Sequence, residues 1–319
     1  MSTVKTAGIC GVGLIGSGWA ARFLAHGLDV VAYDPGDGAE EQLYRHIDTA
    51  WPSMESLHGR PLERGKLSFT RDIAEMAAAA DWIQEAAPER EDLKISAFTQ
   101  MDAASRPDVI IASSSSGFLP SRLQSECKHP ERVIIGHPFN PVYILPLVET
   151  VPGDKTTPET LDRAGAFYRS VNMKVLRLKK EIDGYVCDRL QEAMWREALH
   201  VMAKDVASAE EVDDSIIYSA GLRLAFMGPF QTFHLAGGEG GIRHFFDQFS
   251  IELNPPWTDL QFPPWSDALE NRIIDSCEEA YSGTPVAEWE AKRNAVLVDM
   301  MKVLEKHGIG AGTAMPKRS

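Results

Sequence analysis

Three glycines decide most of what this chain can fold into. Gly11, Gly13 and Gly16 follow a short apolar run, Thr6-Ala7-Gly8-Ile9-Cys10, and open a stretch with helical spacing that continues from Trp19 to Ala25. A second apolar run, Leu28 to Tyr33, then stops at Asp34-Pro35. Strand, glycine turn, helix, second strand and terminal acid in that order are the fingerprint of a βαβ unit that holds a dinucleotide. Gly11 permits the tight turn, Gly13 lets the backbone approach a pyrophosphate, and Gly16 lets helix and strand pack closely. The free amides at the helix start, at Leu14 and Ile15, face the phosphates. Asp34 accepts hydrogen bonds from the adenosine ribose hydroxyls, and its charge repels a 2′-phosphate, so NAD is the expected cofactor.

Further apolar bursts at Trp82-Ile83, Val109 to Ala112, Val133 to Ile135, Leu145 to Val148 and Met173 to Leu176 alternate with helical stretches such as Arg90 to Met101. Such alternation predicts a mostly parallel sheet with helices on both faces, a Rossmann-type α/β domain over residues 1–182. From Asp183 the texture changes. Tyr185, Val186, Arg189, Leu190, Ala193, Met194, Glu197, Ala198 and Val201 recur three and four apart, predicting one amphipathic helix to about Asp205. Further helices are expected at 208–219, 242–250, 266–282 and 285–307, so residues 183–319 read as an all-helical second domain. The Pro/Trp-rich stretch from Asn254 to Trp265 reads as an irregular loop.

The charge balance, 32 basic side chains against 46 acidic for a formal −14, argues against a nucleic-acid partner, whose backbone is bound by Lys and Arg. Four scattered cysteines, Cys10, Cys127, Cys187 and Cys277, show neither a CxxC nor metal-ligand spacing, so a reducing compartment and no metal are expected. No run approaches the length of a membrane helix, and the N-terminus enters a strand directly, which makes a soluble cytoplasmic protein the default.

Three later segments sit where strands of the same sheet should end, the edge at which open α/β sheets bind ligands: Ser113-Ser114-Ser115-Ser116-Gly117, His137-Pro138-Phe139-Asn140-Pro141 and Leu147-Val148-Glu149. Hydride transfer from a secondary alcohol needs a base for the hydroxyl proton, and a His backed by a carboxylate supplies one near neutral pH. His137 with Glu149 fits that need.

With the GVGLIGSGWA fingerprint, the EAAPE segment, the serine run, HPFNP, LVE and the helix entry at Asp183-Gly184-Tyr185, nearly the whole chain resembles the short-chain L-3-hydroxyacyl-CoA dehydrogenase superfamily. The resemblance implies that Ser116 holds the substrate oxygen, His137 is the general acid/base and Glu149 orients its imidazole. It also implies that Glu89, Lys94 and Asn140, with Ser116, line the nicotinamide half of the cofactor site, and that the helical domain pairs two copies as a homodimer.

One position departs from the acyl-CoA pattern: Asp188 stands where those enzymes carry Asn, and an ionised Asp cannot donate to a thioester carbonyl. Asp188 either faces a cationic substrate or is held by Arg189 or solvent. The segment Gly228 to Gly241 and HPFNPVYILPLVE look like the branch of the superfamily that oxidises L-carnitine. The branch that oxidises L-gulonate is the nearest alternative, ahead of a 3-hydroxyacyl-CoA dehydrogenase or a non-catalytic NAD-binding protein. A trimethylammonium group offers no N–H donor and is best met by aromatic faces and an anion, for which Phe139, Tyr143, Trp195, Phe230, Phe233 and Asp188 are candidates.

Overall fold

The computed structural model describes residues 4–237, 239, 241–248, 264, 266–269, 271–272 and 285–316. The chain divides into two compact units, one comprising Met1–Tyr185, Asn294–Lys302 and Ala314–Ser319, the other Val186–Arg293 and Val303–Thr313.

The first unit is an eight-stranded sheet. Its strands are β1 (Thr6–Cys10), β2 (Asp29–Tyr33), β3 (Leu67–Thr70), β4 (Trp82–Glu85), β5 (Ile110–Ser113), β6 (Val133–Pro138), β7 (Leu147–Pro152) and β8 (Lys174–Arg177). They run in the order β3-β2-β1-β4-β5-β6-β7-β8, and every pairing is parallel except β6 with β7. The order reverses direction between β1 and β4, which puts the ligand crevice at the carboxyl ends of those strands. β4, β5 and β6 are buried along their whole lengths, as the continuous apolar runs require of a sheet covered on both faces.

The helices are α1 (Leu14–Ala25), α2 (Ala39–His58), α3 (Ile73–Ala79), α4 (Glu91–Ala104), α5 (Pro120–Leu123) and α6 (Pro158–Ser170). One apolar layer joins α1, α2 and α6 to the sheet through Trp19, Phe23, Leu43, Ile47, Trp82 and Tyr168. The other joins α3 and α4 to the opposite face through Met76, Phe98, Met101, Ile83, Ile111 and Ile135. Within the first layer Arg22 of α1 is buried, and its guanidinium donates to the carbonyls of Val142, Leu145, Val171 and Asn172. Burial lowers its pKa to about 10.

The second unit is helical where it is described: α7 (Cys187–Ala203), α8 (Ala209–Ser215), a π turn (Ile216–Ala220), α9 (Gly221–Leu224), α10 (Pro229–Ala236), α11 (Gly241–Gln248) and both ends of α12 (Val286–Lys306). The expected helix over 208–219 is thus replaced by α8 and a π turn, and the 184–205 helix begins at Cys187 because Gly184 and Tyr185 take positive φ. The loop expected over Asn254 to Trp265, apart from residue 264, and most of the 266–282 helix lie outside the described residues.

Candidate active site

The glycine turn behaves as its spacing demands. Gly11 has φ +91°, and a Cβ there would stand 2.7 Å from the Ala86 carbonyl oxygen; one on Gly16 would stand 1.8 Å from the Gly11 oxygen. A Cβ on Gly13 would meet no protein atom within 4 Å, so the space in front of that residue belongs to whatever the turn holds. Gly13 caps α1 without a side-chain bond, and Leu14 and Ile15 follow at the first positions of the helix, leaving its amides directed at the turn. Asp34, at the end of β2, accepts from the amides of Val12 (3.0 Å) and Gly36 (2.8 Å). Each of its oxygens keeps lone-pair capacity for a ribose hydroxyl. Turn, helix start and acid together fit NAD.

Beyond the turn, Cys10, Glu85, Ser113 and Ile135 share one register row across β1, β4, β5 and β6, which brings the ends of these strands side by side. His137 stands two residues further along β6, and the antiparallel pairing sets it directly opposite Glu149 of β7. His137 Nδ1 and Glu149 Oε2 are 2.9 Å apart, both side chains buried. A carboxylate can only accept, so Nδ1 carries the proton and Nε2 presents its lone pair. Ser116 Oγ lies 3.1 Å from that Nε2. The ring is held edge-on between Phe139, at 4.8 Å between centroids, and Tyr185, at 5.4 Å, whose hydroxyl donates to the Phe118 carbonyl.

Next to this relay is a charged cluster, buried at Glu85 and Lys94 and half-exposed at Glu89, that sequence reasoning had only half identified. Lys94 of α4, 1% exposed, donates to Glu85 Oε1 (2.7 Å), to the Ala87 carbonyl (3.0 Å) and towards Glu89 Oε2 (3.2 Å). Glu89 accepts from the Ser115 hydroxyl and from the Ser116 amide. Glu85 accepts from the Ala87 amide and the Ser113 hydroxyl. Its only sequence signal is an acid ending an apolar strand, the first letter of EAAPE.

A second polar chain supports the serine run from below: Tyr168 donates to Gln84, whose amide reaches the Ser114 hydroxyl and the Gly136 carbonyl, and the Trp19 indole N–H also donates to Ser114. Gln84, Trp19 and Tyr168 were not singled out from sequence, since each reads as ordinary core.

Of the aromatic candidates, Phe139 is half-buried against His137, with Asn140 exposed beside it. Tyr143 packs on the first apolar layer and its hydroxyl accepts from Asn294. Asp188 and Trp195 lie on α7 and Phe230 and Phe233 on α10, in the second unit; Phe233 meets Phe245 at 4.9 Å between centroids. Among the described residues no cluster of His, Cys, Asp and Glu can hold a metal ion, and no helix is long and apolar enough to cross a membrane.

Comparison with known proteins agrees with this architecture. Residues 6–182 match the NAD-binding domain of 3-hydroxyacyl-CoA dehydrogenase, and residues 184–261 match the C-terminal domain of the same enzyme. L-carnitine dehydrogenase of Bacillus cereus is 46% identical over 311 residues, 97% of this chain and 95% of that protein. L-carnitine dehydrogenase of Oceanobacillus iheyensis is 47% identical over 305 residues, 95% of this chain and 99% of that protein. Among solved structures, a 5-formyl-3-hydroxy-2-methylpyridine 4-carboxylic acid 5-dehydrogenase described as an NAD+-dependent dismutase aligns with TM-score 0.80 at 27% identity, covering 95% of this chain and 99% of that one.

Proposed function

The chain belongs to the 3-hydroxyacyl-CoA dehydrogenase family, and from that premise we propose that it oxidises the 3-hydroxyl of L-carnitine to 3-dehydrocarnitine with NAD. The observation that carries the substrate is the 43–47% identity to L-carnitine dehydrogenases from several bacteria over nearly the full length of both chains. Asp188, which cannot donate to a thioester carbonyl, agrees with a cationic substrate better than with an acyl-CoA.

NAD, when bound, would supply the acceptor for the C3 hydrogen, which leaves as hydride. The residues of the chain handle the proton. His137 takes the hydroxyl proton at Nε2, and Glu149 holds Nδ1–H and balances the imidazolium that results. Ser116, within hydrogen-bond reach of the same nitrogen, holds the substrate oxygen in line with it. On release of the proton the products are 3-dehydrocarnitine, NADH and H+. Gly11, Gly13, Leu14, Ile15 and Gly16 carry the pyrophosphate, Asp34 the ribose, and Glu89, Lys94, Ser116 and Asn140 the nicotinamide half.

In this reading residues 1–182 bind the cofactor, and residues 183–319 supply the substrate and dimerisation half of a cytoplasmic homodimer. The half-exposed Leu190, Met194 and Trp195 on α7 agree with a second copy covering that helix. Phe139, Tyr143, Trp195, Phe230 and Phe233 with Asp188 are the candidates for the trimethylammonium site.

The test is NADH absorbance at about pH 9, which draws off the released proton, with purified protein, NAD and parallel L-carnitine, D-carnitine, L-gulonate, 3-hydroxybutyrate and 3-hydroxybutyryl-CoA. Turnover confined to L-carnitine is the expected result. Turnover of gulonate or of the thioester with none of L-carnitine overturns the substrate.

A further inference from the structure

Glu85 is fully buried at the carboxyl end of β4, and both of its oxygens are engaged, by Lys94 Nζ at 2.7 Å, the Ala87 amide at 2.7 Å and the hydroxyl of Ser113 in the serine run. Lys94 spends its three donors on Glu85, Ala87 and Glu89. Glu89 in turn ties down Ser115 and the backbone of Ser116, whose hydroxyl reaches His137. The cluster therefore sets two carboxylates against one ammonium and carries a formal excess of one negative charge. Lys94 alone needs one carboxylate for neutrality, which the fully buried Glu85 supplies at 2.7 Å, so the excess charge falls on the half-exposed Glu89.

We infer that Glu85 is a positioning residue that also sets the charge of the nicotinamide side of the site, so that the cluster favours oxidised over reduced cofactor. The nicotinamide ring is a cation in NAD+ and neutral in NADH, so a net negative cluster beside it stabilises the first and leaves the second nearly unaffected. With Glu85 present, Lys94 is pinned and screened, and the charge left over on Glu89 is available to the oxidised ring. The inference rests on the proposed placing of Glu89 and Lys94 along the nicotinamide half of the cofactor site.

The experiment compares dissociation constants for NAD+ and NADH, by calorimetry and by NADH fluorescence, in the absence of any hydroxy acid. Glu85→Gln keeps the shape and the acceptor for Lys94 but removes the extra charge. Its NAD+ dissociation constant is expected to rise about fivefold, the scale for one charge in a partly solvated site, while that for NADH stays within about twofold of the parent. Glu85→Gln/Lys94→Gln removes one charge of each sign and returns the cluster to a net −1, so the ratio of the two constants is expected to return to the parent value even if both constants rise. Should Glu85→Gln fail to fold, Glu89→Gln removes the same charge from a half-exposed position and is expected to weaken NAD+ selectively. Equal loss of both cofactor forms, or no change in either, overturns the inference. Because no hydroxy acid is present, that outcome leaves the carnitine reading intact, and inactivity on L-carnitine leaves this one intact.

Discussion

His137 and Glu149 are cross-strand partners in the one antiparallel pairing among the described strands, and their side chains meet at 2.9 Å. The eleven residues between them in sequence are spent on turning the chain back at the ligand edge of the sheet. Register alone therefore delivers the carboxylate to Nδ1. A one-residue slip would put Glu149 on the opposite face and leave a buried imidazole without it.

Replacing Glu149 by Gln tests that pairing. The amide is isosteric, so the sheet holds and thermal stability changes little. It cannot balance an imidazolium, and its NH2 can face Nδ1 and stabilise the wrong tautomer. We expect kcat to fall about 100-fold or more with NAD+ binding unchanged. Steady-state rates beside a calorimetric NAD+ titration check both halves, and a variant retaining more than half the parent rate would show that His137 works without its partner.

Gly13 and Gly16 separate two roles that one motif conflates. Gly13 has φ −61°, and a Cβ there meets no protein atom, so Gly13→Ala is expected to melt with the parent while binding NAD+ at least about tenfold more weakly. On Gly16 the Cβ would fall 1.8 Å from a backbone oxygen. Gly16→Ala is expected to lose about 3 kcal/mol or more and to melt about 5–10 °C lower. Thermal melts with and without NAD+ distinguish the pair. Equal destabilisation of both variants would contradict the geometry.

Most of the first unit was legible because a parallel sheet writes itself as apolar runs punctuated by glycine and acid: β1, β2, β5, β6 and the carboxyl-edge residues Ser116, His137 and Glu149 all fall where those runs end. Helix α2 was not read from sequence. Pro52 inside it and the charged Glu40, Glu41, Arg45 and Asp48 in its first ten residues obscure a stripe that Leu43, Ile47, Trp51, Met54 and Leu57 do form. Glu85 and Arg22 went unread for a different reason. Their roles depend chiefly on side chains and carbonyls 28 to 150 residues away, and only the fold brings these together. The aromatic set shows a similar limit, since Tyr143 carries a polar handle that the packing gives to Asn294.

Arg22 illustrates how such a residue serves the site. Its four carbonyl acceptors belong to the segment after HPFNP and to the turn after α6, so one buried guanidinium fixes the stretch that follows Phe139 and Asn140. Arg22→Met fills the volume but orphans those carbonyls, at a cost of about 3 kcal/mol or more. Arg22→Lys, with one point of charge in place of a planar fork, is expected to recover little of it. Denaturant midpoints measure the loss, and a Met variant as stable as the parent would mean that water or a local shift satisfies the carbonyls.

His26 gives the fold an acid-sensitive point well away from the relay. It caps α1, its Nδ1 lies 2.8 Å from the Arg22 carbonyl, and its ring meets His58 edge-on at 5.2 Å between centroids. Burial foremost, then the neighbouring Arg22 charge, lowers its pKa from 6.5 to about 3, and His58 is lowered to about 4, again mainly by burial. The unfolded chain takes up the His26 proton near 6.5 whereas the folded chain resists until about 3. In that window the unfolded state binds more protons, so stability is full above about 6.5 and is lost progressively as the pH falls toward 3. His26→Asn keeps a donor near the Arg22 carbonyl and removes the titration. Its denaturant midpoint is expected to fall less steeply than the parent's between pH 7 and about 4, with the His58 share of the slope remaining. Parallel slopes for the two proteins would show that His26 is protonated as readily in the fold as out of it.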